Sequence, residues 1–174
     1  MGLPEFPLYE PGALRRVLAR SKDPCAACGQ VRGIVYTGPV YCKTQEPRVC
    51  PWCVADGTAA AKFDATFNDG LHPDCDEEGA EGELRHVEER TPGFEGWQCI
   101  HWWACCGRAC RFLGEASAQR VRVEWRDLIP LLHENPPDII DDVDEWVDSD
   151  TDSPTLFVFQ CRGCGKKHFY PDAH

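Results

Sequence analysis

The sequence predicts an α+β fold of small zinc-ribbon-like lobes, with short antiparallel strands and a few short helices. The chain has 174 residues and 12 cysteines, and several of the cysteines are spaced as Cys-x-x-Cys. Such pairs are typical of metal-binding knuckles. The 14 prolines and 15 glycines leave room only for short helices and strands. An apolar fraction of 43% permits a modest core, which bound metal would supplement.

Composition also limits the class of protein. The chain start lacks the charged and apolar pattern of a signal peptide, and no apolar run is long enough to cross a membrane. We therefore expect a cytoplasmic protein whose paired cysteines are metal ligands or redox groups rather than structural disulfides. The formal net charge is −11, which opposes nucleic-acid binding and favours a basic protein partner.

The first third of the chain predicts a ribbon lobe. Residues 3–11 are punctuated by proline and predict an extended strap, and residues 12–21 predict a short helix with exposed arginines. Residues 30–41 are rich in β-branched and aromatic side chains and predict two short strands between the first two cysteine pairs. Residues 54–67 predict a helix rich in alanine.

The middle of the chain changes character twice. Residues 68–89 are strongly acidic and predict an exposed connector, in which Cys75 is interpreted as a free thiol rather than a metal ligand beside His72. Residues 97–106 hold three tryptophans and predict a helix in which Trp97 packs inward. Residues 121–125 alternate apolar and charged side chains, which predicts a half-exposed strand.

The segment 134–152 contains nine carboxylates and no lysine or arginine. Apolar residues at 139, 140, 143, 146 and 147 predict one face of a short helix, with the carboxylates on the other face. A solvated helix and a docking surface for a basic protein remain equal alternatives. For the docking surface, the predicted partner-binding residues are Asp138, Asp141, Asp142, Asp144, Glu145 and Trp146.

The chain ends in a strand, a knuckle and a returning strand over residues 155–170. Two knuckles supply the four thiolates of one tetrahedral zinc site, so the chain predicts two structural zinc ions. The favoured ligands of the first ion are Cys25, Cys28, Cys50 and Cys53. Those of the second are Cys106, Cys110, Cys161 and Cys164, although crossed assignments remain open.

The predicted organisation is an N-terminal zinc-ribbon lobe at 1–67, an acidic connector at 68–95 and a C-terminal zinc lobe at 96–174. The alternative is one compact domain. His168 lies on the last strand and is interpreted as structural or exposed rather than as a ligand.

Five blocks of sequence together resemble the CbrC family of bacterial proteins. They are Tyr36-Thr-Gly-Pro, Cys50-Pro-Trp-Cys-Val-Ala-Asp-Gly-Thr-Ala-Ala, Arg90-Thr-Pro-Gly-Phe-Glu-Gly-Trp-Gln, Cys106-Gly-Arg-Ala-Cys-Arg-Phe-Leu-Gly and Phe157-Val-Phe-Gln-Cys-Arg-Gly-Cys-Gly-Lys. The resemblance covers nearly the whole chain in order. It implies a largely uncharacterised family that is associated by name with tolerance of a nuclease-type colicin, and a position at Cys105 where the family usually has histidine.

The leading hypothesis is therefore a cytoplasmic, non-enzymatic, zinc-stabilised protein that binds a basic partner. With the resemblance, that partner would be a nuclease toxin covered by an immunity protein. One alternative is an enzyme, either a thiol redox protein using Cys50 and Cys53 or a hydrolase using His101. The other is a nucleic-acid-binding ribbon that uses the N-terminal arginines.

Overall fold

The computed structural model describes residues 2–43, 45–72, 81–97 and 100–172. Helices in these ranges are α1 (Pro11–Leu14), α2 (Pro51–Ala55), α3 (Thr58–Phe63), α4 (Glu81–Arg90), α5 (Ala118–Val123), α6 (Ile129–Glu134) and α7 (Val143–Asp148). Strands are β1 (Leu18–Arg20), β2 (Ile34–Tyr36), β3 (Ala104–Cys105), β4 (Arg108–Ala109), β5 (Arg111–Ala116), β6 (Thr155–Gln160) and β7 (Lys167–Asp172). Single 3-10 turns cover Arg15–Val17 and Arg126–Leu128.

A three-stranded antiparallel sheet with the order β5-β6-β7 organises the molecule. The central strand β6 is buried on both faces, as its continuous apolar run requires. Leu156 and Val158 face one core, whereas Phe157 and Phe159 face the other. The sheet therefore lies between two hydrophobic cores.

The first core is largely aromatic. Phe94 stacks on Phe112 with ring centroids 4.1 Å apart, and Trp102 is fully buried beside them. The extended strap at the N-terminus joins the edge of the sheet through Tyr9, which bridges Phe112. The strap predicted over 3–11 is non-helical up to Glu10, with a turn at Pro7 and Leu8, and Pro11 already begins α1.

The second core lies between the sheet and helices α5, α6 and α7. Ser117 caps α5 by accepting a hydrogen bond from the Arg120 amide, and Asp142 caps α7 by accepting one from the Glu145 amide. Val121, Leu132 and Val147 contribute apolar side chains from the three helices. The helical prediction for the acidic segment is thus confirmed over Val143–Asp148.

Gly93 is the tightest junction of the first core. Its amide donates to the Tyr36 hydroxyl at 2.9 Å, and a Cβ at Gly93 would lie 2.1 Å from the Phe67 carbonyl oxygen. Only glycine fits such a close backbone approach. The Tyr36 and Gly93 segments, 57 positions apart in sequence, meet here.

Several predicted elements were wrong. The helix expected over 12–21 ends early and leads into β1, since Leu18–Arg20 pairs with Ile34–Tyr36. The alanine-rich helix expected within 54–67 is α3, but it ends at Phe63, where Asp64 has φ 49°, so Phe67 is not on its face. The strand expected over 121–125 is absent: residues 121–123 are the end of α5, because the Ser117 cap and burial of Val121 favour a helix there.

The tryptophan-rich segment is not helical where it is described. Trp102 N–H donates to the Gly70 carbonyl and Ala104–Cys105 forms β3, so residues 100–105 are extended. Trp97 was predicted to pack inward, but its side chain is 73% exposed.

The predicted fold class is confirmed: the chain is α+β, with short antiparallel strands, short helices and two cysteine clusters that resemble zinc-ribbon lobes. The division at 67 and 95 stays a prediction. None of the helices in the described part of the chain has both the length and the apolar character that a bilayer crossing requires.

Candidate metal centres

The first cysteine cluster consists of Cys25, Cys28, Cys50 and Cys53, as the sequence predicted. Cys25 and Cys28 occupy a turn between β1 and β2, where the Gly29 amide donates to the Cys25 carbonyl at 2.7 Å with φ +72°. Cys50 precedes α2 and Cys53 lies in its first turn. The turn and the start of the helix therefore bring both pairs together.

The second cluster consists of Cys105, Cys106, Cys161 and Cys164. Cys161 and Cys164 occupy the turn between β6 and β7, where the amides of Gly163 and Cys164 donate to the Cys161 sulfur at 3.3 and 3.4 Å. Cys105 and Cys106 come from the turn of the β3–β4 hairpin.

The structure places Cys105, rather than the predicted Cys110, in this second cluster. Cys106 and Gly107 have φ of 55° and 67°, so the hairpin turns at these two residues and Cys105 pairs with Arg108. Cys110 lies past the hairpin. Its amide donates to the Trp103 carbonyl, and the residue is buried in the aromatic core.

The sulfur positions fit a tetrahedral metal site. A tetrahedron with metal–sulfur bonds of about 2.3 Å has sulfur–sulfur edges of about 3.8 Å. Cys25 and Cys53 sulfurs are 3.8 Å apart, and the Cys105 sulfur lies 3.8 Å from Cys106 and 3.9 Å from Cys164. Both clusters could therefore hold a metal ion, and zinc is among the metals that four thiolates suit.

The pKa values of the clustered thiols also indicate that a bound cation would stabilise their ionised forms. Burial raises the pKa of Cys161, but the amides of Cys164 and Gly163 outweigh it and lower that pKa to about 6. Burial and the neighbouring thiols raise the pKa of Cys53 and Cys105. A bound dication would stabilise the four thiolates that cannot otherwise ionise together.

Each cluster is held by a charged side chain from a helix. Lys62 of α3 donates to the carbonyls of Ala26 and Ala27, at 2.8 and 3.0 Å, within the first cysteine turn. Arg162 lies between Cys161 and Cys164 and pairs with Glu83 of α4 at 2.6 Å. Such outer contacts fix the orientation of the ligands.

The two clusters differ in exposure. Cys25, Cys50 and Cys53 are buried, whereas Cys106 and Cys164 are exposed. Solvent therefore reaches the second cluster much more readily than the first.

The acidic segment presents most of its predicted partner-binding residues to solvent. Asp138, Asp141, Asp142, Asp144 and Glu145 are exposed. Trp146 is only 7% exposed and packs in the second core, so it offers no surface to a partner. Its helix phase, shared with Val143 and Val147, explains why it points inward.

The remaining candidates fall in different places. Cys75 and Cys99 lie outside the described residues, so a metal role of His72 with Cys75 stays untested. The helical alignment of His101 with Cys105 does not exist, because this segment is extended. Cys50 and Cys53 open α2 as a redox pair would, but they lie within a four-thiol cluster.

Comparisons with known proteins place the chain in a family. Residues 3–173 match the family described as "Uncharacterised protein family (UPF0167)". The chain belongs to the UPF0167 family. A UPF0167 protein of Pseudomonas aeruginosa is 34% identical over 174 residues, which cover 96% of this chain and 95% of that relative. UPF0167 proteins of Mycobacterium bovis and Mycobacterium tuberculosis are each 34% identical over 177 residues, 98% of this chain and 93% of theirs.

No solved structure matches this UPF0167 chain significantly. The resemblance to the CbrC family is wrong by these findings, because the matching family and the curated relatives carry the name UPF0167. The association with colicin tolerance came only from that resemblance and is withdrawn with it.

Proposed function

We propose that this UPF0167 chain is a zinc-stabilised interaction protein whose acidic segment, residues 134–152, binds a basic protein partner. The observation that carries the proposal is the folded state of this segment. Helix α7 is anchored through Val143 and Val147, and its carboxylates are held outward. Partner binding then needs little ordering of the segment, so less affinity is lost to conformational entropy.

The choice of zinc rests on the donor set. Four thiolates at tetrahedral spacing close the coordination sphere and leave no open position for water or substrate. Such sites stabilise folds rather than activate nucleophiles. The cysteines therefore support a scaffold, and the function lies on the surface that the scaffold holds.

Several carboxylates of the acidic segment are not used in ion pairs within the described residues. Asp144 lies 3.2 Å from His133, and Asp150 pairs with Arg122. Within the described residues, no ion pair involves Asp138, Asp141 or Glu145. Unpaired carboxylates on one surface attract a basic partner over long range and speed its association.

An apolar contact lies within the same surface. Ile139 is 47% exposed beside Asp138 and Asp141. Charges steer association, whereas desolvated apolar side chains supply much of the energy that holds a complex. Ile139 takes the anchoring role that the sequence assigned to Trp146.

The test is affinity capture with the variant Asp138→Asn/Asp141→Asn/Glu145→Gln, followed by binding of the purified captured protein over a salt series. These positions leave the Asp142 cap and the Asp144–His133 contact intact. We expect the wild type to capture basic proteins with an affinity that falls steeply with salt, and the variant to lose this capture.

The matched control is Glu5→Gln/Glu46→Gln/Glu95→Gln, which removes the same charge from exposed positions elsewhere. It should retain capture. Equal losses in both variants would show that net charge alone is responsible. Salt-insensitive capture by Asp138→Asn/Asp141→Asn/Glu145→Gln would disprove the proposed surface.

A further inference from the structure

A cavity of about 420 Å³ opens between β7, the chain around His72 and the end of α6. Its lining includes His72, Trp103, Asn135, Lys166, His168 and Tyr170. This volume lies in the range of small-molecule sites. Asn135 and Pro137 of the acidic segment line one side of it, but none of that segment's carboxylates and none of the clustered cysteines is among its lining residues.

One wall of the cavity is a stack of four rings from three separate segments. Tyr170 lies 4.8 Å from His72, His72 lies 4.7 Å from Trp103, and Trp103 lies 5.2 Å from His168. All four rings are only half-buried. The stack fixes the rings against one another and leaves a rigid aromatic surface toward the cavity, to which another flat apolar group can pack.

The charge of the cavity is opposite to that of the chain. The chain has 29 acidic and 18 basic residues, yet the charged lining residues are Lys166 and Lys167, with no carboxylate among them. Lys167 pairs with Asp127. Lys166 is exposed, and no ion pair within the described ranges involves it. An anion near Lys166 would therefore meet a cation that is available for pairing.

The cation and the aromatic wall lie next to each other. Lys166 precedes His168 by two positions, and both side chains line the cavity.

We propose that this cavity binds a small aromatic carboxylate. Its ring packs against the Tyr170–His72–Trp103–His168 stack, and its carboxylate pairs with the Lys166 ammonium. The apolar wall supplies burial and the ammonium supplies selection for an anion. The inference does not rest on the acidic surface or on the identity of the metal.

The test uses the full, metal-loaded chain and two probes of the same shape, naphthalene-1-carboxylate and the neutral naphthalene-1-carboxamide, in isothermal titration calorimetry. We expect one saturable site for the carboxylate, with the carboxamide bound about tenfold more weakly because it forms no ion pair. Lys166→Gln should remove that preference, while Lys22→Gln, at an exposed lysine elsewhere, should preserve it.

A second variant, Leu131→Trp, fills the cavity from the α6 side and does not adjoin a cysteine. It should abolish binding of both probes. Equal affinity of the two probes for the wild type, an unchanged preference in Lys166→Gln, or persistent binding to Leu131→Trp would each overturn the proposal.

Discussion

Cys106 has φ of 55°, a left-handed backbone conformation that residues other than glycine rarely adopt. The following Gly107 adopts the same region at little cost. This two-residue turn makes Cys105 and Cys106 adjacent ligands, although adjacent side chains of a regular strand point to opposite faces. The turn geometry therefore decides which cysteine belongs to the second cluster.

Substitutions at Cys105 and Cys110 separate the two assignments. If each cluster holds one metal ion, Cys105→Ser should lower the metal content from about two ions per chain to about one, because a neutral hydroxyl is a poor replacement for a thiolate ligand. Cys110→Ala should retain about two ions and lose about 1 kcal/mol of stability through a small cavity in the aromatic core. Elemental analysis with chemical denaturation measures both.

The opposite outcome, in which Cys110→Ala loses an ion and Cys105→Ser keeps both, would restore the assignment predicted from spacing. Seven of the eight predicted ligands lie in the two clusters. Spacing alone favoured Cys106 with Cys110, because a four-residue interval looks like a loose knuckle. A Cys-Cys-Gly turn can be recognised only when the pairing of β3 with β4 is known.

Two helices act as clamps on the cysteine turns. Lys62 reaches from α3 to two carbonyls of the first turn, and Glu83 reaches from α4 to Arg162 in the second. Glu83 also accepts the Ala109 amide at 2.8 Å and so joins the hairpin to the same clamp. Burial raises the Glu83 pKa, but Arg162 and the Ala109 amide outweigh it, and the pKa is lowered overall.

Glu83→Gln should destabilise the second cluster. It removes the charge-assisted bond to Arg162 and weakens the bond from Ala109, a loss of about 1–2 kcal/mol. Urea unfolding of the metal-loaded protein at neutral pH measures this loss. The control is Glu89→Gln on the same helix, where the pair with the exposed Arg85 contributes less than about 0.5 kcal/mol. Similar losses in the two variants would contradict the role of Glu83 as a clamp.

The sequence predicted a secondary-structure element correctly where its local pattern is compatible with only one kind of element. The apolar run of β6, followed by a cysteine turn and β7, was predicted correctly because it forms a local hairpin. The alternation at Val121 and Val123 suits a strand or a short helix, and packing of α5 on the second core decided for the helix. Strand β5 was not predicted, and its pairing with β6 shifts register between Phe112 and Gly114.

Across the whole molecule, the sheet divides the chain's apolar residues into two cores, and both sulfur clusters adjoin the aromatic one. Cys50, Cys53 and Cys161 are all part of this core. Long-range contacts of this kind, such as Tyr9 with Phe112, follow from the folded topology and not from local pattern. The cavity lined by Lys166 and Lys167 is likewise defined only by folding, because its lining comes from residues 72, 103, 131–137 and 166–171.

The difference in burial between the clusters predicts two rates of metal loss. Excess chelator should remove one zinc per chain quickly from the exposed second cluster and the other at least about tenfold more slowly, because release from the buried cluster requires local opening of the core. Absorbance of a chromogenic chelator follows both phases, and circular dichroism follows the fold.

In Cys164→Ser the fast phase should disappear while the slow phase keeps its rate. A single phase in the wild type, or a fast phase that survives in Cys164→Ser, would show that exposure does not govern release. Each phase should be accompanied by a loss of secondary structure, because a structural metal ion of this kind contributes on the order of 10 kcal/mol, comparable to the stability of a whole domain.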